Sequence, residues 1–215
     1  MFSPKHLSDR FTQLYEKEWK SAYMESSSKD EVVKQLFNIL TDSYTHADLC
    51  SETHLENLTY RVLQPDIDVQ IGEFNMHGFN DVEPESSDST LFCNIKEDLR
   101  KLRAKHAPDF MKDIVYMIQQ DLPSFSSTSP SSGLHGHLST FANKCFELTF
   151  ALRLQDPPLF LDIIETDKND GHGIEKEVYK LVKRRGRKTK TIVWPPLYLY
   201  KGGPILAKGV MFIPA

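Results

Sequence analysis

The sequence has few cysteines, and they are widely separated. Cys50, Cys93 and Cys145 are the three among 215 residues, and no two of them form a Cys-x-x-Cys pair. An odd number at these spacings argues against a disulfide framework and against a cysteine-bound zinc ion, and it is typical of a reducing compartment. We therefore expect three free thiols that pack as small apolar side chains.

Long uninterrupted apolar runs are also missing. The most apolar stretch, 145–154, contains Glu147 and Arg153, so it falls short of the roughly 18 apolar residues that a membrane-spanning helix needs. The N-terminal residues 1–10 are polar and lack the apolar centre of a secretory leader. We expect a soluble chain in the cytoplasm that is at most peripheral on a membrane.

Recognisable catalytic signatures are absent as well. The sequence contains no Gly-x-Ser-x-Gly, P-loop, His-Glu-x-x-His or Gly-x-Gly-x-x-Gly pattern, so we predict a protein that is not an enzyme and needs no cofactor. His135 and His137 lack a fixed third ligand, and the acidic turn at 165–173 does not have the EF-hand spacing, so no metal site is predicted. A hydrolase without a recognisable motif is an alternative.

Apolar residues recur at helical spacing along most of the chain. We predict helices over 8–24, from Ser28 to about Tyr44, over 55–63, over 89–105, from Pro108 to about Asp121, and over 138–154. The last of these is apolar on nearly all sides, which is typical of a helix at the centre of a domain. Segments 65–89 and 123–136 are predicted to be flexible loops, the first with a short strand at 67–71.

The segment 191–200 differs in character from the helices. β-Branched and aromatic side chains are common in it, and Pro195 and Pro196 restrict it to an edge strand or a bulge. Residues 201–204 are typical of a turn. The predicted fold class is therefore mainly α, a multi-helix bundle around the central apolar helix with a short irregular β-like C-terminal arm, in one domain over residues 1–215.

Charge is distributed unevenly around a formal net charge of −4. Segment 62–95 has seven acidic residues and no Lys or Arg, whereas six of the eight residues in 183–190 are basic. The six are Lys183, Arg184, Arg185, Arg187, Lys188 and Lys190. We predict that this cluster, turned at Gly186, binds the phosphates of anionic lipid headgroups, and nucleic acid would satisfy the same charges. The alternative is a solvated hairpin tip that offsets the acidic segment.

One stretch of the C-terminal arm is similar to a known family. It reads Val193-Trp194-Pro195-Pro196-Leu197, then Gly202-Gly203-Pro204-Ile205-Leu206, then Lys208-Gly209-Val210. This order resembles the closing motif of the C-terminal domain of the mitochondria-eating protein family. The opening segment 11–15 with Trp19, and Pro157-Pro158-Leu159 after an apolar helix, are similar to the same domain.

The resemblance implies a non-enzymatic binding or adaptor domain with a role in mitochondrial quality control and mitophagy. It implies contacts with other proteins, self-association among them, and with cardiolipin-type lipid, at the cytoplasmic side of the mitochondrial outer membrane; nucleic acid is not expected as a partner. A structural role is predicted for the motif residues Trp194, Pro195, Gly202, Gly203, Pro204, Lys208 and Gly209. A helical scaffold or innate-defence module with an unrelated partner is the alternative.

Overall fold

The computed structural model describes residues 3–63, 89–108, 111, 133–163, 175–186 and 188–215. Helices dominate up to Arg153 and strands dominate after it, which confirms the predicted fold class. The predicted strand at 67–71, most of the predicted helix after Pro108 and the acidic turn at 165–173 lie outside the described residues.

The chain begins with an N-terminal rod of three helical segments that continue into one another. They are α1 (Pro4–Leu14), a π-helical turn (Tyr15–Trp19) and α2 (Lys20–Glu25). The rod starts at Pro4 and not at the predicted Ser8, because the Ser3 side chain accepts a hydrogen bond from the His6 amide at 3.2 Å. Pro4 then occupies the first helical position, where its missing amide proton costs nothing.

The next helix, α3 (Lys29–Leu63), runs for 35 residues without a break. The sequence predicted two helices here, one ending near Tyr44 and one starting at Leu55, and that prediction was wrong. The buried stripe between these positions passes through small or polar side chains, which interrupt the apolar period without interrupting the helix. These side chains are Ala47, Cys50 and Ser51.

Two further long helices among the described residues belong to the bundle. Helix α4 (Ser89–Lys105) has the predicted bounds and packs against α3. Helix α5 (Leu134–Arg153) begins before the predicted Leu138, so residues 134–136 are helical and not part of the predicted loop. Helix α5 contacts both the N-terminal rod and α3, and eight of its residues are buried. The prediction of a central apolar helix is confirmed.

The C-terminal part forms two small sheets. In chain order its elements are β1 (Phe160–Leu161), α6 (Glu175–Val178), β2 (Tyr179–Arg184), β3 (Thr191–Trp194), β4 (Leu197–Tyr198), β5 (Ile205–Ala207) and β6 (Gly209–Pro214). One sheet has the order β1-β4-β5 and is antiparallel. The other has the order β2-β6-β3, in which β6 runs parallel to β2 and antiparallel to β3.

Strand β3 lies at the edge of its sheet and is irregular, as the two prolines that follow it predict. Its pairing with β6 shifts register between Ile192 and Trp194, and Pro195 and Pro196 come directly after the strand. A proline cannot donate a backbone hydrogen bond, so it is tolerated at the end of an edge strand. The shift turns the Trp194 side chain toward the helical core, of which it is part.

Trp194 holds the sheets on the helices. Its side chain is 2% exposed, and its ring centroid lies 4.7 Å from that of Phe11 and 5.5 Å from that of Tyr15 on the N-terminal rod. The ring of Phe141 on α5 lies 6.3 Å away. Such tilted ring pairs add to the free energy gained by burying apolar area. Trp194 therefore connects the C-terminal arm to both the N-terminal rod and α5.

Replacing Trp194 tests this anchor. We expect Trp194→Ala to lower the free energy of unfolding by about 3–5 kcal/mol, because it leaves a large cavity among the three rings. Trp194→Phe, which keeps an aromatic ring, should cost clearly less. Urea denaturation followed by circular dichroism measures both, and an Ala variant with the same free energy of unfolding as the wild type would refute the anchor.

A polar seam joins α3 to α4. Arg103 is 2% exposed and donates to the Ser51 carbonyl, and burial lowers the pKa of Arg103 to about 10. Burial, and then the charges of Arg103 and Arg61, lower the pKa of His54 to about 4. His54 is therefore neutral in the folded protein at neutral pH.

The seam predicts a loss of stability in mild acid. Between about pH 6.5 and pH 4 the unfolded chain binds a proton at His54 that the folded chain does not, so unfolding becomes more favourable as the pH falls through this window. We expect wild type to lose roughly 1–2 kcal/mol more than His54→Gln between about pH 7 and pH 5. Urea titrations at the two pH values measure this difference, and equal losses in the two proteins would contradict it.

Candidate anion-binding surface

The basic turn, residues 183–190, joins β2 to β3. These strands lie on opposite sides of β6, so the turn passes over the end of β6. It is therefore not the tip of a hairpin, which was the alternative prediction from the sequence. Gly186 has a φ of +83°, and a Cβ there would meet no atom within 4 Å. Glycine is suited to this position because of its backbone conformation and not because space is short.

Three side chains of the basic turn project into solvent. Lys183, Arg185 and Lys188 are exposed, and within the described part of the chain none of them forms an ion pair. Lys190 is half-buried and has an interaction partner, and Arg187 lies outside the described residues. The predicted cluster thus contains three cations presented together at one end of the sheet.

Arg184 differs from its neighbours in the predicted cluster because its side chain is packed against aromatic rings. Its guanidinium carbon lies 4.6 Å from the ring centroid of Phe212 and 5.2 Å from that of Tyr23. Its Nε is buried and has no hydrogen-bond partner among the described residues. Arg184 is therefore packed between the sheet and α2, where it secures the basic turn against the helices through cation–π contacts.

The alternation of side chains along β2 explains why Arg184 is packed while Lys183 is exposed. Successive side chains of a strand point to opposite faces, so Val182 and Arg184 face the helical core while Leu181 and Lys183 face away from it. Leu181 belongs to a small second cluster on the outer face of the sheet, around Met211. Treating 179–184 as a strand, and not only as the start of a charge run, would have separated Arg184 from the exposed cations.

The Gly-Gly-Pro part of the arm motif forms the turn between β4 and β5. Gly202 has a φ of +78°, a conformation that favours glycine, and the Gly203 amide donates to the Tyr200 carbonyl at 2.9 Å. A Cβ on Gly203 would lie 2.8 Å from the Tyr200 ring. The Pro204 carbonyl accepts the amide of Leu199 at 3.0 Å, which closes the turn.

The remaining motif residues lie near Trp194. Pro195 is buried beside it, and a Cβ on Gly209 would lie 2.7 Å from the Trp194 carbonyl oxygen. Lys208 is exposed and donates from Nζ to the Lys176 carbonyl at 3.1 Å. Most motif residues therefore have a visible packing or turn role, whereas the Lys208 side chain extends along the surface.

The two histidines for which no metal site was predicted lie on a helix. His135 and His137 are both exposed in the first turn of α5, and a spacing of two residues on a helix directs side chains to opposite sides. In the described part of the chain, His, Cys, Asp and Glu side chains form no group of three or more that could hold a metal ion. No helix in this described part combines the length and the apolar character needed to cross a membrane.

The chain was compared with known proteins in three ways. The model of the mitochondria-eating protein family matches residues 3–213, which is nearly the whole chain. Neither the curated proteins nor the solved structures contain a match.

Adjacent arginines provide a matched test of the basic turn. Arg184→Gln should lower the free energy of unfolding by about 1–2 kcal/mol, because it removes the cation from two aromatic faces. Arg185→Gln has the same charge change at an exposed position and should stay within about 0.5 kcal/mol of wild type. Chemical denaturation measures both, and equal effects of the two substitutions would contradict the separation of their roles.

Proposed function

Since this chain belongs to the mitochondria-eating protein family, a family of mitochondrial quality control, we propose that it is a non-enzymatic binding domain that attaches to anionic, cardiolipin-type lipid. In this proposal the basic turn supplies the attraction to the membrane surface. The domain acts from the cytoplasm, peripherally at the mitochondrial outer membrane, and it also contacts other proteins, copies of itself among them.

The grouping of three exposed cations carries the proposal. Lys183, Arg185 and Lys188 lie on a single short turn, and among the described residues no carboxylate neutralises them. A basic residue close to an anionic membrane surface contributes about 1 kcal/mol of binding free energy, so three of them give a useful but reversible attachment. Such binding weakens as salt screens the charges.

An apolar surface next to the basic turn supports a membrane partner over a purely polar one. Leu181, Ile192 and Ile213 are half-buried on the outer face of the sheet. Lys183 lies on the same face, opposite Ile213 in the pairing of β2 with β6. A surface that places cations beside apolar side chains suits the boundary between lipid headgroups and acyl chains.

Vesicle binding tests the proposal. Liposomes with and without cardiolipin should bind the wild-type protein differently, with the cardiolipin-containing vesicles preferred at low salt. The triple variant Lys183→Gln/Arg185→Gln/Lys188→Gln should bind cardiolipin vesicles on the order of a hundredfold more weakly, because about 1 kcal/mol is lost at each position. Arg184 is left unchanged so that the domain keeps its fold.

The matched control removes the same charge elsewhere. Lys17, Lys34 and Lys105 are exposed on the helices, and their triple Gln variant has the same net charge as the basic-turn variant. We expect this control to bind vesicles nearly as well as wild type. If both variants lose binding equally, net charge and not the basic turn determines vesicle binding. If neither variant loses binding, the basic turn does not bind lipid.

A further inference from the structure

A second cationic feature lies at the opposite end of β2. The N-terminal rod and the sheet enclose an open groove of about 430 Å³ between them. Tyr15 and Glu16 line it from the rod, Trp194 lies in it, and Lys176, Lys180 and Lys208 line it from the sheet side. Grooves of this size hold small organic ligands.

The charges of the groove favour an anion. All three lysines are exposed, so their ammonium groups stay hydrated and available to a ligand. Among the described residues that line the groove, Glu16 is the one acidic residue, and it already forms an ion pair with Lys20. Lys208 donates to the Lys176 carbonyl at 3.1 Å, which holds the Lys208 ammonium group beside the Lys176 backbone.

Aromatic groups form the apolar part of the groove. Tyr15 and Trp194 both line it, together with Tyr179. Burial, and then the Glu16 charge, raise the pKa of Tyr15 to about 12, which agrees with a phenol held mostly away from water. The three aromatic side chains are buried, so the groove places its ammonium groups beside an apolar wall formed by the small exposed parts of these residues.

Two backbone features shape this groove. Tyr15 begins the π-helical turn of the N-terminal rod, and such turns are frequent at functional sites because they displace side chains from the regular helical path. Gly209 lies under Tyr179, and a Cβ on Gly209 would come within 2.7 Å of both the Tyr179 ring and the Trp194 carbonyl oxygen. Lys208 therefore supplies a cation to the groove, and Gly209 lets the Tyr179 ring pack against the backbone of β6.

We propose that this groove is a binding site for a small phosphate ester with an apolar body, separate from the basic turn. The lysine ammonium groups bind the phosphate, and the apolar body of the ester contacts the aromatic side chains. A phosphate dianion uses several ammonium groups at once, whereas a single carboxylate carries one charge and leaves the others unused. Both a lipid headgroup and a soluble ester have this chemistry.

Calorimetry with the full chain tests the site, using phenyl phosphate as the probe. We expect saturable binding of one phenyl phosphate per chain, at least about tenfold tighter than that of inorganic phosphate, because only the ester uses the aromatic groups. Benzyl alcohol, which has no phosphate, should not bind measurably. Quenching of tryptophan fluorescence, to which Trp194 and Trp19 both contribute, should follow the same titration.

Variants assign the binding to the groove. Lys180→Gln/Lys208→Gln should weaken phenyl phosphate binding by about tenfold or more, while Lys183→Gln/Lys188→Gln, with the same charge loss in the basic turn, should leave it within about twofold of wild type. The single variant Lys180→Gln keeps the Lys208 hydrogen bond, so it tests the groove even if losing that bond destabilises the arm. This variant should still bind phenyl phosphate measurably more weakly than the wild type.

A further probe distinguishes the two sources of the ester. Dihexanoyl phosphatidate, which is soluble as a monomer, should bind more tightly than phenyl phosphate if the ligand is a lipid headgroup, and more weakly if it is a soluble ester. Either result keeps the phosphate site. The proposal is overturned if wild type shows no saturable binding of either ester, or if the basic-turn variant loses as much binding as the groove variant. Vesicle binding through the basic turn is unaffected by either result.

Discussion

The packing of Trp194 against the N-terminal rod is the contact on which the rest of this structure depends. The helices are held together by α5, but the sheets reach them through the ring contacts of Trp194 with Phe11, Tyr15 and Phe141. A second set of rings continues this contact, because Phe212 of β6 packs edge-on against Trp19. One continuous aromatic layer therefore fixes where the strands lie on the bundle.

Both cationic surfaces follow from this one layer. Strand β2 is placed by its parallel pairing with β6, and it carries Lys180 near its start and the basic turn at its end. At the turn, Arg184 packs on the aromatic layer and leaves its neighbours Lys183 and Arg185 exposed. At the start, the layer itself provides the aromatic side of the groove. The family motif around Trp194 has mostly structural roles, and through the aromatic layer it positions both the basic turn and the lysines of the groove.

Much of the fold could be predicted from the sequence, and less of the candidate site. The apolar run in 138–154 and the period in 89–105 are strong local signals, so α5 and α4 were found nearly in place. The unbroken α3 was missed because buried Ser51 looks polar in sequence. The parallel pairing of β2 with β6 is non-local and leaves no pattern in either segment. Strand alternation alone places Arg184 and Lys183 on opposite faces of β2, but only the pairing with β6 shows which face packs on the helices.

Amide hydrogen exchange of the unaltered protein tests most directly whether the arm and the bundle form one unit. If the aromatic layer joins them, the amides of Val210 and Phe212 in β6 should open with the same free energy as those of Leu148 and Leu152 in α5, because both open only on global unfolding. The contrary result is exchange of the β6 amides through a low-energy opening while the α5 amides stay protected. That result would show that the arm detaches from a bundle that is stable without it.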